Sequence, residues 1–163
     1  GCDIGWLEEP LPVDAHESDW RRLAAMSEIP LAGGENIAGY GEFKTAIGTG
    51  ALAFYQPDVA KWGGVTGCYD VAGQAIAAGH TYCPHFLGGG IGLEASAHLL
   101  AAVGGAGLLE IDVNPNPLRD RLSDSGQSLR AGCWHVGDAP GLGIEELPGD
   151  LAAFETLTIS RSL

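Results

Sequence analysis

The chain has 163 residues, of which 45% are hydrophobic and 18% are charged, and this composition predicts a folded unit of ordinary size rather than a disordered chain. A formal net charge of −13, from 21 acidic residues against 8 lysines and arginines, argues against nucleic acid and anionic membranes as partners, because both would repel the protein. Four cysteines without a CxxC spacing, and the lack of a long apolar run, indicate reduced thiols, a cytoplasmic location and no membrane span.

Five short runs with β-strand character follow one another along the chain, and each carries a polar residue at or near its end. They are DIGWLEE with Glu8, EIPLAGGEN with Glu35, ALAFYQPD with Asp58, HTYCPHF with His85 and AGLLEID with Glu110. The alternation of helical segments with these runs predicts βαβα order.

Three of the helical segments have a face of small and apolar residues suited to packing on a sheet. SDWRRLAAMSE is predicted to begin at a capping Ser18 or Asp19. The predicted faces are Trp20, Leu23, Ala24 and Ser27 in the first segment; Val65, Cys68, Ala72, Ala75 and Ile76 in GVTGCYDVAGQAIAAG; and Ile91, Ala95, His98 or Leu99, and Ala102 in IGLEASAHLLAAVGG.

The five polar residues follow one another at nearly constant steps of 23 to 27 residues, the length of one strand, one helix and two loops. Parallel strands joined by right-handed crossovers point the same way, so these residues are expected at one end of one sheet, where the functional groups of (β/α) barrels lie. The predicted fold is α/β, a partial TIM-type barrel. The glycines after Lys61 admit two interpretations, close passage of backbone past a ligand or a tight turn.

Glu8 and Glu35 are predicted to bind a hard divalent cation, because Mg²⁺ prefers carboxylate oxygens. Asp58 and His85 are expected to hydrogen bond, so that the carboxylate orients the ring and makes it a general base. Glu110, one strand further along, could donate a hydrogen bond if like-charged neighbours keep it protonated. The structural alternatives are a solvated strand end for Glu8 and Glu9, and a histidine bonded only for structure at the barrel rim for His85.

Taken together, WLEEPL, GGENI, QPDVAKWGGVTG, CPHF and LLEID resemble the C-terminal barrel of the enolase superfamily, specifically the mandelate racemase subgroup with its acid-sugar dehydratases. The likeness runs from Trp6 to about Ile144. It implies barrel strands four to eight in residues 1–120, and in residues 121–163 an extension that returns toward a capping domain. The opening on Gly1, with Met26 as the only methionine, indicates a fragment that lacks the N-terminal part.

The resemblance also implies a role for each site residue. Glu8 and Glu35 match two Mg²⁺ ligands, and Glu9 serves the loop. Asp58 and His85 match the proton-transfer dyad, and Glu110 matches the acid that hydrogen bonds the substrate carboxylate. An aspartate rather than a lysine at position 58 points to the mandelate racemase branch, and this leaves Lys61 a supporting role.

The implied reaction is Mg²⁺-dependent removal of the proton α to a carboxylate through an ene-diolate, and dehydration of an acid sugar to a 2-keto product is favoured. The alternatives are a racemase or epimerase of a 2-hydroxy acid, and a non-catalytic truncated barrel. The partner is then a small carboxylate substrate, and the full-length form is expected to be a homo-oligomer. The isolated chain is expected to bind Mg²⁺ weakly, to turn nothing over and to self-associate through its open strand edges.

Overall fold

A computed structural model describes residues 1–123, 128–144, 146–157 and 159 of the chain. Four short strands alternate with four helices, as the sequence predicts. In chain order they are β1 (Leu7–Glu8), α1 (Glu17–Met26), β2 (Leu31–Gly33), α2 (Tyr40–Thr49), β3 (Phe54–Tyr55), α3 (Gly64–Ala77), β4 (Thr81–Tyr82) and α4 (Gly90–Val103). Within the described ranges, no helix combines the length and the apolar character that crossing a bilayer requires.

The strands form one parallel sheet whose spatial order β1-β2-β3-β4 follows the chain, which confirms the predicted α/β class. Leu31 and Tyr55 are buried on one face of this sheet, where residues of α1, α2 and α3 pack on them. Tyr82 on β4 is buried likewise by α3 and α4. The opposite face carries Glu8 and Phe54, which are not fully buried, so helices cover only one side of the sheet.

The fifth run, AGLLEID, was predicted as a strand, and the structure corrects this. Its residues, 106–112, form no strand, although Gly107 lies against Tyr82 of β4. The amide of Leu108 donates to the Cys83 sulfur at 3.3 Å instead of to a backbone carbonyl. A Cβ at Gly107 would lie 1.9 Å from the backbone carbonyl oxygen of Tyr82, so only glycine allows the two segments to approach this closely. The segment therefore follows β4 without a regular ladder of backbone hydrogen bonds.

The start of α1 also differs from the prediction. His16, in an extended conformation, is the capping residue, and its Nδ1 accepts from the amide of Ser18 at 3.2 Å. Neither Ser18 nor Asp19 caps the helix, because both already lie within its first turn. The Ser18 hydroxyl contacts the same ring nitrogen at 2.7 Å, so a side chain predicted as the cap instead supports the cap.

The predicted helix faces are confirmed only in part, because some of their residues are buried and others are exposed. Cys68, Ala72 and Ala75 of α3 are fully buried, whereas Val65 is 51% exposed. On α4, Leu99 is buried and Ile91 is 46% exposed. Val65 and Ile91 lie in the first turns of α3 and α4, so the buried face is shorter than the apolar stripe.

The chain beyond α4 forms smaller elements. Helix α5 (Pro117–Leu122) is followed by an antiparallel hairpin of β5 (Leu129–Arg130) and β6 (Cys133–Trp134), and a 3-10 helix spans Gly149–Phe154. These elements lie largely in the predicted extension, residues 121–163, of which residues 124–127, 145, 158 and 160–163 lie outside the described residues.

Candidate active site

The predicted site residues follow the carboxyl ends of neighbouring strands. Glu8 ends β1, Glu35 follows β2, Asp58 follows β3 and His85 follows β4. Because the strands are parallel, these four side chains lie at the same end of the sheet. Glu110 reaches the same place from the irregular segment beside β4.

Asp58 and His85 form a buried pair. The Asp58 Oδ2 lies 2.8 Å from the His85 Nδ1, and the two residues are only 3% and 5% exposed. The other oxygen of Asp58 accepts from the amides of Ala60 and Lys61 at 2.7 and 3.3 Å, which anchors the carboxylate. Burial by itself would raise the pKa of Asp58, but these hydrogen bonds, with that of His85 the largest, hold it below the usual value.

The glycines after Lys61 form a tight turn into α3, which was one of the two interpretations left open. Gly63 and Gly64 have φ of 73° and 57°, the left-handed region that favours glycine. A Cβ at Gly63 would lie 3.0 Å from the Cα of Gly67, so the backbone itself occupies that space. Lys61 lies just before this turn, and its ammonium group contacts Glu35.

Glu35 links the dyad to Lys61. Its Oε2 lies 2.7 Å from the His85 Nε2, and its Oε1 accepts from the Lys61 ammonium at 2.8 Å. Asn36 also donates to Oε1, at 3.2 Å. The sequence did not predict this direct contact between an expected metal ligand and the expected base.

Both ring nitrogens of His85 therefore face carboxylates. Burial favours the neutral ring, but the bond to Asp58 and the charges of Glu35 and Glu110 outweigh it and raise the pKa of His85 above its usual value. The arrangement fits an imidazolium, which would donate from both nitrogens. A general base needs a free lone pair, so Nε2 must lose its proton and its contact with Glu35 before it can accept a proton from a substrate.

We expect the His85 ring of metal-free protein to titrate above pH 6.5. Because its pKa is raised by folding, its contribution to the free energy of unfolding is fully present below pH 6.5 and is lost as the pH rises through the raised pKa. Ring ¹⁵N NMR shifts and urea unfolding between pH 6 and 9 measure both effects. His85→Gln should remove this pH dependence, and His135→Gln, at an exposed histidine, should retain it; a ring that titrates at or below 6.5 contradicts the expectation.

Glu110 borders the same space. Its Oε2 accepts from the Phe86 amide at 2.9 Å and lies 3.8 Å from the His85 Nε2. Burial, together with the nearby charges of Glu8 and Glu35, raises the pKa of Glu110, although the Phe86 amide and His85 act in the opposite direction. The carboxyl group is thus closer to its protonated, hydrogen-bond-donating form than an ordinary glutamate.

The two glutamates of the EEP triplet have different surroundings. Glu8 accepts hydrogen bonds from Trp6 and Gln56, both at 2.9 Å. Glu9 turns toward the loop after β2, where it accepts from Asn36 at 2.7 Å and from the Gly34 amide at 3.4 Å. Its φ of 38° is unusual for a residue with a side chain, and these bonds hold it there.

Trp6 and Gln56 were not predicted as site residues, although their spacing in the sequence indicates that they lie near the site. Trp6 precedes Glu8 by two residues and Gln56 precedes Asp58 by two. Alternate residues of a strand point to the same face, so each was placed on the face of a candidate site residue.

Glu8 and Glu35 fit a hard divalent cation by the chemistry of their carboxylate oxygens. Lys61 and His85 lie against Glu35, at 2.8 and 2.7 Å from its two oxygens. Within the described ranges, no group of three His, Cys, Asp or Glu side chains could hold a metal ion. The described part of the chain thus offers two carboxylate ligands, fewer than Mg²⁺ takes in total.

A cavity of about 470 Å³ lies away from the dyad, between α1 and α2. It is largely apolar, with Trp20, Ala46 and Leu52 in its wall, and Glu9 and Asn36 at the side near the site. None of the dyad residues lines it, so the dyad lies outside this cavity.

The sequence matches the family of enolase C-terminal domain-like proteins over residues 1–148. Over 94 residues, 58% of this chain, it is 42% identical to a D-galactonate dehydratase of Klebsiella pneumoniae (strain 342), of which that stretch is 24%. The chain therefore spans about a quarter of this relative's length.

Two solved structures are also similar to this chain. A mandelate racemase/muconate lactonizing enzyme from Bordetella bronchiseptica RB50 is 54% identical with a TM-score of 0.85, over 92% of this chain and 41% of that one. The 3,6-anhydro-D-galactonate cycloisomerase from Zobellia galactanivorans is 30% identical with a TM-score of 0.76, over 86% of this chain and 40% of that one.

Proposed function

The chain belongs to the enolase C-terminal domain-like family, and from this premise we propose that its full-length protein is a Mg²⁺-dependent acid-sugar dehydratase. Residues 1–120 would form part of a (β/α) barrel, about strands four to eight, with residues 121–163 returning toward a capping domain. The single observation that carries the proposal is the buried Asp58–His85 pair, whose outer nitrogen contacts Glu35 at 2.7 Å. This contact supports the proposal, because the expected base lies beside a carboxylate suited to a cation.

In the proposed reaction, the neutral His85 ring accepts the proton α to the substrate carboxylate at Nε2. Asp58 keeps Nδ1 protonated and offsets the positive charge that the ring gains. The proton then passes from Nε2 to the β-hydroxyl group as its C–O bond breaks, which releases water and leaves an enol. Tautomerisation of the enol gives the 2-keto product, so the hydrogen and oxygen atoms that leave balance as water.

Charge builds on the substrate carboxylate as the α-proton leaves, and the site offsets it. Glu8 and Glu35 would hold the Mg²⁺, and the bound ion supplies positive charge to that carboxylate. Glu110, protonated in the pH range where its raised pKa allows, would donate a hydrogen bond to the same group. Lys61 would keep Glu35 in place through its bond at 2.8 Å.

The acid-sugar class draws support from two relatives named for galactonate or anhydrogalactonate. A racemase is the second candidate, and the 54% identical Bordetella structure, described as a mandelate racemase/muconate lactonizing enzyme, favours it. The two reactions share the first proton transfer and differ in whether a β-hydroxyl leaves.

Assay of the full-length protein with Mg²⁺, on a panel of acid sugars and of 2-hydroxy acids without a β-hydroxyl, tests the proposal. A 2-keto product from an acid sugar, measured as its semicarbazone, supports the dehydratase. Exchange of the α-proton with D₂O and inversion, without loss of water, would replace it with the racemase. Absence of both exchange and product across the panel would overturn both candidates.

A further inference from the structure

One oxygen of Glu8 is held by two donors. The indole Nε1 of Trp6 and the carboxamide Nε2 of Gln56 both donate to Oε2, each at 2.9 Å. Among the described residues, none donates to Oε1 within hydrogen-bond distance. The carboxylate is therefore fixed at one oxygen and open at the other.

The sheet allows this contact to cross an entire strand. Trp6 and Glu8 lie on β1 or its approach, whereas Phe54 and Gln56 lie on β3 or its continuation, with β2 between them. Ala32 of β2 is the register partner of both Glu8 and Phe54. Because its side chain is a single methyl group, the ring of Trp6 reaches that of Phe54, with centroids 4.9 Å apart.

Gln56 is held in place by its own surroundings. The residue is 3% exposed, and its backbone N–H donates to the Gly33 carbonyl at 2.8 Å. A Cβ on Gly34 would lie 3.0 Å from the Gln56 nitrogen, which shows how closely the two backbones approach. Little conformational freedom is left for the carboxamide to lose when it donates to Glu8.

We propose that Trp6 and Gln56 are positioning residues that hold Glu8 by Oε2, so that it binds the divalent cation through Oε1 alone. The inference rests on the proposed function only in taking Glu8 as a ligand of the ion. A ligand that uses one oxygen leaves room for the other oxygens of an octahedral shell, as Mg²⁺ requires. Donors that orient a ligand in this way typically account for about 10–100-fold in metal affinity.

Two substitutions remove the donors and keep the packing. Trp6→Phe retains an aromatic ring against Phe54 without the N–H, and Gln56→Met retains an unbranched chain of similar size. Two matched controls lie elsewhere: Trp134→Phe removes an indole that donates to Glu94, and Gln74→Met changes an exposed glutamine of α3.

The readout is Mn²⁺ affinity of the full-length protein without substrate, measured by EPR of the free ion, together with infrared spectra of its carboxylates. We expect Trp6→Phe and Gln56→Met each to weaken Mn²⁺ binding about 10–100-fold, with the controls unchanged. In the infrared spectra, the separation between the antisymmetric and symmetric carboxylate bands should change from that of a ligand bound through one oxygen to that of a ligand bound through two. Thermal unfolding in EDTA reports any purely structural effect.

Three results would overturn the inference: unchanged Mn²⁺ affinity in both variants, loss of stability in EDTA as their only effect, or no Mn²⁺ binding by the unsubstituted protein. Failure of the proposed function has a different signature. In that outcome Mn²⁺ binds tightly and depends on Trp6 and Gln56, while no acid sugar or 2-hydroxy acid reacts.

Discussion

Replacing His85 with asparagine should lower kcat of the full-length protein by about 10²–10⁴-fold, the usual contribution of a general base. Asparagine removes the nitrogen that accepts the α-proton, whereas Glu8 and Glu35, the expected cation ligands, stay in place. Deuterium exchange at the α-carbon, followed by NMR in D₂O, measures the first step directly, and formation of 2-keto acid measures the whole reaction.

The controls separate this chemical effect from loss of structure. His98→Asn changes a partly buried histidine of α4 away from the site and should leave kcat unchanged. Asp58→Asn keeps the His85 ring but removes the charge that orients it and raises its pKa, so kcat should fall and its pH profile should shift to lower pH. If His85→Asn exchanges the α-proton at the rate of the unsubstituted protein, another residue is the base.

The largest expected effect on stability is at Tyr55, which is fully buried under α1, α2 and α3. Tyr55→Ala should lower the free energy of unfolding by about 3–5 kcal/mol, the range for truncating a large aromatic side chain in a core. Tyr55→Phe should cost about 1 kcal/mol, because it removes only the hydroxyl that donates to the Ala46 carbonyl at 2.9 Å. Urea unfolding at one pH measures the free energy of unfolding of each variant.

Tyr82→Phe is the matched control for this hydroxyl. Tyr82 is 1% exposed, and its hydroxyl has no hydrogen-bond partner among the described residues. Removing a buried polar group that lacks a partner relieves a desolvation cost, so this variant should be as stable as the unsubstituted protein or more stable. Equal losses for Tyr55→Phe and Tyr82→Phe would show that the bond to Ala46 contributes nothing.

The order of strands and helices, and the end of the sheet at which the polar residues lie, can be predicted from the sequence alone. Steps of 23 to 27 residues leave room for one helix between successive strands, and parallel strands must then place Glu8, Glu35, Asp58 and His85 at one end. The Asp58–His85 contact follows from the same reasoning, because β3 and β4 are neighbours in the chain and in the sheet.

Which of these groups touch, and which runs form regular strands, depends on contacts between distant segments that the sequence pattern does not reveal. The contact of His85 with Glu35 spans β3, and the bond from Gln56 to Glu8 spans β2; both depend on side-chain reach across an intervening strand. AGLLEID has the apolar pattern of a strand, but its Leu108 amide pairs with a sulfur rather than a carbonyl. Apolar spacing reports which face of an element is buried, whereas hydrogen-bond partners are set by distances between segments that are far apart in the chain.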